Sequence, residues 1–280
     1  MIQKILETLF SSKNSFFLSP LIQLLVSLRI LSFWEGVYNS WEEAPNDDDI
    51  FKGTIWVGQV EDRAKKDIAA YNRCKIVPPP LILDYILPVV GGMLLPSKKK
   101  LCVIDFGGGM GASYFPLISS IPHPEKIEFH IIEGKKICER GQKILKQFTN
   151  LHFHTQLPNL SKTVDIVHAG SSIQYVKNWK LLLKELTDYQ PSLLVLEDLM
   201  AGNIPSFVTI QNHYGRKART WFLNINELIE EIEALGYRMT YKSRYTRKIL
   251  GKVGPLKMKN FSSQYRLDYG SHLMFERIKI

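Results

Sequence analysis

Asp105, Gly107, Gly109 and Gly111 stand at alternate positions after the apolar run Leu101, Cys102, Val103, Ile104, in the segment LCVIDFGGGMGASYF. A turn made almost wholly of glycine offers bare backbone, and a helix starting behind it, here at ASYFPLISSI, offers free N–H groups. The chemistry suited to such a place is the holding of a nucleotide-type ligand. Two cofactors compete for it. Gly107, Gly109 and Ala112 satisfy the dinucleotide pattern G-x-G-x-x-G/A, a weak signal on its own. The spacing D-x-G-x-G-x-G is that of an S-adenosylmethionine (SAM) loop. A pyrophosphate wants N–H donors and no negative neighbour, whereas SAM carries a sulfonium and an ammonium that a strand-end carboxylate helps to position. Asp105 therefore tilts the expectation to SAM, held by Asp105, Phe106, Gly107, Gly108, Gly109 and Gly111.

Further candidates follow along the chain. Glu133 closes KIEFHIIEG about 20 residues past the loop, where folds of this kind place a carboxylate for a ribose diol; this suits SAM and NAD alike. Gln156, after LHFHTQL, stands where an acid often holds the adenine amino group, and its carbonyl can accept that hydrogen bond. Gly170 and Ser171, in VDIVHAGSSIQYV, leave room for a bulky ligand, with Gln174 and Tyr175 turned toward an acceptor. Methyl transfer from a sulfonium needs in-line approach and exclusion of water. An alcohol acceptor also needs a base, for which a histidine is suited. His213 is the first candidate and His168 the second, with Glu197 or Asp198 available to orient it. Gln211, Asn212, Tyr214 and Arg216 accompany His213 in a long connection of the kind that builds substrate lids. No metal site is expected: His152 and His154 alternate on one face, but two histidines without a third ligand are too few, and Asp47, Asp48 and Asp49 lack calcium-loop spacing.

The elements that must position these residues leave their own pattern. Short apolar strands alternate with helices from about Lys98 onward, which predicts a mostly parallel α/β sheet of Rossmann-like type. NINELIEEIEALG reads as a helix capped by Asn224 and stopped at Gly236, and SSQYRLDYGSHLMFERI as a closing seventh strand. Residues 1–97 form a separate N-terminal helical and aromatic-rich cap, and residues 98–280 the cofactor-binding domain. FFLSPLIQLLVSLRILSF is helix-like, but Gln23 and Arg29 cut its apolar run short of the roughly 20 residues that span a bilayer; packing on the domain or a dimer contact competes with a membrane-surface helix.

WEGVYNSWEEA together with IDFGGGMGASYF resembles the class I SAM-dependent methyltransferases associated with bacterial surface-polysaccharide and related biosynthetic genes. The likeness runs from about Trp34 to Phe275. It implies a seven-stranded sheet with one terminal strand inserted antiparallel, SAM as cofactor, and Trp34 and Tyr38 as part of a roof over cofactor and acceptor. The expected activity is O-methylation of a sugar, a glycan end or a small biosynthetic intermediate.

Composition limits the alternatives. A chain of 280 residues with 45% hydrophobic content buries a full core. Its cysteines, Cys74, Cys102 and Cys138, are too few and too scattered for a disulfide framework or a zinc site, which fits a reducing cytoplasm. From Tyr241 onward, ten Lys or Arg, from Lys242 to Lys279, stand against Asp268 and Glu276, so eight of the nine excess positive charges are C-terminal. A lysine-protected sheet edge explains them without a partner; peripheral contact with the inner membrane stays open, and no nucleic-acid module accompanies them. The rival functions are an NAD(P)-dependent oxidoreductase or epimerase, and a non-catalytic SAM-binding protein that docks to membrane or RNA.

Overall fold

The computed structural model describes residues 32–45, 50–74, 86–161, 163–213, 216–246, 248–249 and 252–278. The apolar stretch before Phe33, the Asp47 to Asp49 run, the Pro78 to Pro80 stop and Tyr214 lie outside the described residues. In chain order the strands are β1 (Trp34–Tyr38), β2 (Leu101–Phe106), β3 (Ile127–Ile132), β4 (Leu151–His154), β5 (Ile166–Gly170), β6 (Leu193–Leu199), β7 (Ala201–Gly202), β8 (Phe207–His213), β9 (Arg216–Asn224), β10 (Tyr237–Tyr245), β11 (Lys248–Ile249), β12 (Lys252–Val253) and β13 (Gly270–Arg277). The helices are α1 (Thr54–Cys74), α2 (Ile86–Leu94), α3 (Tyr114–Ser120), α4 (Lys135–Ile144), α5 (Trp179–Thr187) and α6 (Ile225–Ala234).

Seven strands form the main sheet in the order β10-β13-β6-β5-β2-β3-β4. The β4-β3-β2-β5-β6 block is parallel, and β13 enters antiparallel to both β6 and β10. This is the topology that the class I resemblance implies. β2 is apolar over its first four residues and fully buried through Asp105 because helices cover both faces. On one face Val103, Phe129 and Ile131 pack with Tyr114, Phe115 and Leu117 of α3 and Ile137 of α4. On the other, Ile104, Val167 and Leu196 pack with Leu183 and Leu186 of α5 and Leu228 of α6. Asn224 caps α6 as expected, its side chain accepting from the backbone N–H of Asn226 and Glu227 at 2.9 and 3.2 Å, and Gly236 ends the turn at φ 88°. β10 forms the outer edge, with Arg238, Lys242 and Arg244 exposed, so part of the C-terminal basic charge guards an open strand.

The long connection after β6 is built as a β-hairpin, β8 and β9. WEGVY, placed by the sequence in a helical and aromatic-rich cap, is a strand: β1 pairs antiparallel with β8, and with β9 and β7 they make a second sheet in the order β1-β8-β9-β7. Thr209 and Thr220 are fully buried there, with Val208, Ile210 and Phe222. The alternation that makes these strands is written partly in threonine and alanine, which is why it reads weakly as apolar periodicity. Among the described residues, no helix is long and apolar enough to cross a membrane.

Candidate functional site

The glycine turn forms where β2 meets α3. Gly107, Gly109 and Gly111 take φ values of 74°, 59° and 91°, a region that side chains disfavour. Part of the demand for glycine comes from the protein itself. A Cβ on Gly107 would collide with Ser172, and one on Gly108 with the Asp105 carboxylate. At Gly109 the nearest neighbour is Val60 Cγ1, at 3.4 Å, so α1 lies over the turn. α1 is held there by an ion pair from Arg140 of α4 to Glu61, at 2.9 Å, and by Lys136 Nζ donating to the Lys52 carbonyl at 3.0 Å.

Glu133 sits beside the turn. Its Oε1 accepts from Gly109 N–H at 3.2 Å and its Oε2 from Gly134 N–H at 2.8 Å. Burial raises its pKa against the pull of those two N–H groups. Beyond it, Gln156 lines a cleft of about 630 Å³ with Thr155, Leu157, His154 and the α4 residues Lys135 and Cys138. Gly170 ends β5, and Ser171 follows at φ 51°, its N–H donating to the Glu197 carbonyl at 2.9 Å. Asp198 at the end of β6 is also left-handed, at φ 49°. Two non-glycine residues in this conformation, on neighbouring strand ends, mark local strain of the kind that collects at functional edges.

At the C-terminal edge of β2, β5 and β6 stands a buried triad. His168 Nδ1 lies 2.7 Å from Asp105 Oδ1, and His168 Nε2 lies 3.0 Å from Glu197 Oε2. All three side chains are under one-tenth exposed. Burial opposes charge on His168, but the Asp105 and Glu197 carboxylates outweigh it and raise its pKa to about 10. The imidazole is therefore a cation at neutral pH. This removes His168 as a base: both nitrogens are taken and the proton is held too tightly. Glu197 contacts His168, a histidine of the sheet itself. Asp105 itself turns into the sheet toward His168, not out toward open space. Three buried acceptor oxygens here have no hydrogen-bond partner: Asp105 Oδ2, Glu197 Oε1 and Gln174 Oε1. Gln174 is held by its amide, Nε2 donating to the Asp198 carbonyl at 3.1 Å. Ser172 ties the edge together by donating from Oγ to the Phe106 carbonyl at 2.8 Å.

The acceptor-side candidates divide. Tyr175 bonds through its hydroxyl to Gln211 Oε1 at 2.6 Å and packs against Phe51, ring centres 5.0 Å apart; Phe51 in turn meets Trp56 at 5.8 Å. An aromatic wall thus joins the sheet edge to the hairpin. His213 is the last residue of β8, its backbone opposite Arg216. Asn212 is used structurally, Nδ2 donating to the Ser32 carbonyl at 2.8 Å. Trp34 is not a roof: it is 2% exposed and packs edge-on to Phe222 in the core of the second sheet. Tyr38 is half-buried beside Ala44, Val208 and Ile210. Both aromatics supply a core for the strand that the sequence did not reveal.

No protein-family model and no curated protein sequence matches the chain. Solved structures do resemble it. A methyltransferase from Haloferax volcanii, in complex with the Trm112 methyltransferase activator, aligns over 79% of this chain and 96% of its own at 13% identity and TM-score 0.49. The 1,6-didemethyltoxoflavin-N1-methyltransferase of Burkholderia thailandensis, solved with 1,6-didemethyltoxoflavin and S-adenosylhomocysteine, aligns over 79% and 89% at 11% identity and TM-score 0.45. The CcbJ methyltransferase of Streptomyces caelestis aligns over 72% and 91% at 10% identity and TM-score 0.45. At these values the resemblance assigns no activity, substrate or cofactor to this chain.

Proposed function

We propose that the chain is a SAM-dependent methyltransferase acting on a small-molecule or glycan acceptor, with a hydroxyl of a sugar, a glycan end or a small biosynthetic intermediate as the receiving group. The observation that carries this is the cluster of unpartnered acceptors at the switch point of the sheet. The His168 imidazole lies between the Asp105 and Glu197 carboxyl groups beside the glycine turn, with orphaned acceptor oxygens on Asp105, Glu197 and Gln174. Buried acceptors without donors are costly. They fit a ligand that is cationic or rich in donors, and oppose a pyrophosphate.

The residues present fit SAM in kind. Glu133 would take the ribose hydroxyls, exchanging its bond to Gly109 N–H, and Gln156 with its cleft would take the adenine. The backbone of Gly107 to Gly111, with Gly170 and Ser171, would border the methionine part. When bound, SAM supplies an electrophilic methyl group on a good leaving group. The protein's share is then alignment and dryness. α1 over the turn and the Phe51, Trp56 and Tyr175 wall exclude water, while Gln174, Tyr175 and the hairpin face the acceptor. His213 is the base candidate that remains. His213→Ala is expected to lower kcat roughly 100-fold or more, the usual worth of a positioned base, with SAM affinity unchanged; a loss of SAM affinity in its place would assign the residue to the cofactor. The cofactor is tested by calorimetric titration with SAM, S-adenosylhomocysteine and NAD. Binding of both adenosyl ligands supports the proposal, and binding of NAD alone ends it.

A further inference from the structure

β3 and β4 lie side by side at the parallel edge of the main sheet, pairing His130 with His152 and Ile132 with His154. Alternate residues of a strand share a face. Glu128 and His130 from β3 therefore stand with His152 and His154 from β4, opposite the Phe129, Ile131 and Phe153 side chains that enter the core. Two histidines alone were too few for a metal; the pairing of the strands brings the missing ligands. One ligand atom each from Glu128, His130 and His152 fall within 4.8 Å of one another. Zinc bonds of about 2.0 to 2.2 Å require tetrahedral ligand atoms roughly 3.4 Å apart, so rotation of side chains closes the set.

Local hydrogen bonding also points to a missing cation. His130 is 4% exposed. Its Nδ1 lies 3.0 Å from His154 Nε2, while its Nε2, buried and without a hydrogen bond, faces Glu128 Oε1 at 3.5 Å. When Nδ1–H is given to His154, a lone pair on Nε2 looks at a carboxylate, and an ion between them satisfies the imidazole. The His130 ring stacks on His152 and on His154 at 4.8 and 5.2 Å, which brings a second imidazole to the same place. Two imidazoles and one carboxylate suit zinc and similar first-row ions; calcium and magnesium call for oxygen donors throughout.

We propose that Glu128, His130 and His152 bind a divalent transition-metal ion of the zinc class, with His154 as the positioning residue that fixes the His130 tautomer. Glu128 lies five residues before Glu133, which follows the end of β3, a span of about 16 Å along an extended chain. The ion thus sits away from the glycine turn, although His154 also borders the cleft of Gln156, and acts as a clip fastening edge strand β4 to β3.

The test uses the full chain, stripped of metal by a chelator and titrated with zinc chloride. One equivalent is expected to bind at micromolar concentration or below and to raise Tm, and Co2+ in its place should give the visible absorption of a four-coordinate ion. His152→Ala and Glu128→Gln should each weaken zinc binding roughly 100-fold or more, and His154→Ala about 10- to 100-fold. Thermal melting of the metal-free variants, equal to that of the metal-free parent, shows that they fold. His152→Gln serves in place of any alanine variant that does not. Failure of the parent to take up stoichiometric zinc, or uptake unchanged in the folded variants, overturns the proposal.

Discussion

His168 is the residue on which the site turns, because a protonated imidazole holds two carboxylates together where the sheet would otherwise bury them unpaired. Its pKa, raised from the ordinary 6.5 to about 10 by Asp105 and Glu197 over the opposition of burial, has a consequence for stability. A group whose pKa rises on folding stabilises fully below its unfolded pKa and loses that contribution as pH climbs through the folded one. The part of the unfolding free energy that depends on His168 is thus present at pH 6 and declines between about 6.5 and 10. It should appear as the difference between urea titrations of the parent and of His168→Gln across that range. At pH 6 the variant should be less stable by about 3 to 5 kcal/mol, the cost of leaving buried charge uncompensated; equal curves would show the triad to be uncharged. Glu133 makes a second case. Glu133→Gln keeps the shape but weakens the carboxylate's hydrogen bonds, worth about 1.5 to 3 kcal/mol when charged, so SAM affinity measured by calorimetry should fall about 10-fold or more with little change in Tm. Asp105 and Glu133 were legible in the sequence from their distances to the glycines. The partners of Asp105 were not, since His168 and Glu197 lie 63 and then 29 residues further on and meet it only through strand order.

At the scale of elements, the glycine turn and the Asn224 cap follow from local chemistry and were readable for that reason. Asn224→Ala should cost about 0.5 to 2 kcal/mol in equilibrium unfolding, and an unchanged midpoint would mean that tertiary contacts alone hold the first turn of α6. Gly107→Ala is harsher. It forces a side chain into φ 74° and onto Ser172, a strain on the order of 1 to 3 kcal/mol that should lower Tm even without cofactor. A variant as stable as the parent would show that the turn is softer than drawn. The hairpin and β1 were missed because their inward residues include Thr209, Ala218 and Thr220. Burial of Thr209 depends on a partner strand far away in sequence, since its hydroxyl donates to the Glu35 carbonyl 174 residues before it. Gly215, between the two hairpin strands in the sequence, was the available signal. The fourfold grouping of Glu128, His130, His152 and His154 was likewise invisible until β3 and β4 were paired.

For the molecule as a whole, alternating strands and helices were enough to give the α/β class, whereas the antiparallel entry of β13 came only from family resemblance. That order of strands places the crossover between β2 and β5, and Asp105 and His168 are paired across it. Ligands of open α/β sheets bind at such a point. The inserted hairpin, the aromatic wall and α1 all converge on the same edge from outside the sheet, which is where the proposed acceptor would enter. In the proposed function, the acceptor-rich crossover beside the glycine turn holds a cationic adenosyl donor. Calorimetric titration of the full chain measures it most directly: SAM and S-adenosylhomocysteine should each bind one to one while NAD gives no heat, and NAD binding without any response to the adenosyl ligands would contradict the account.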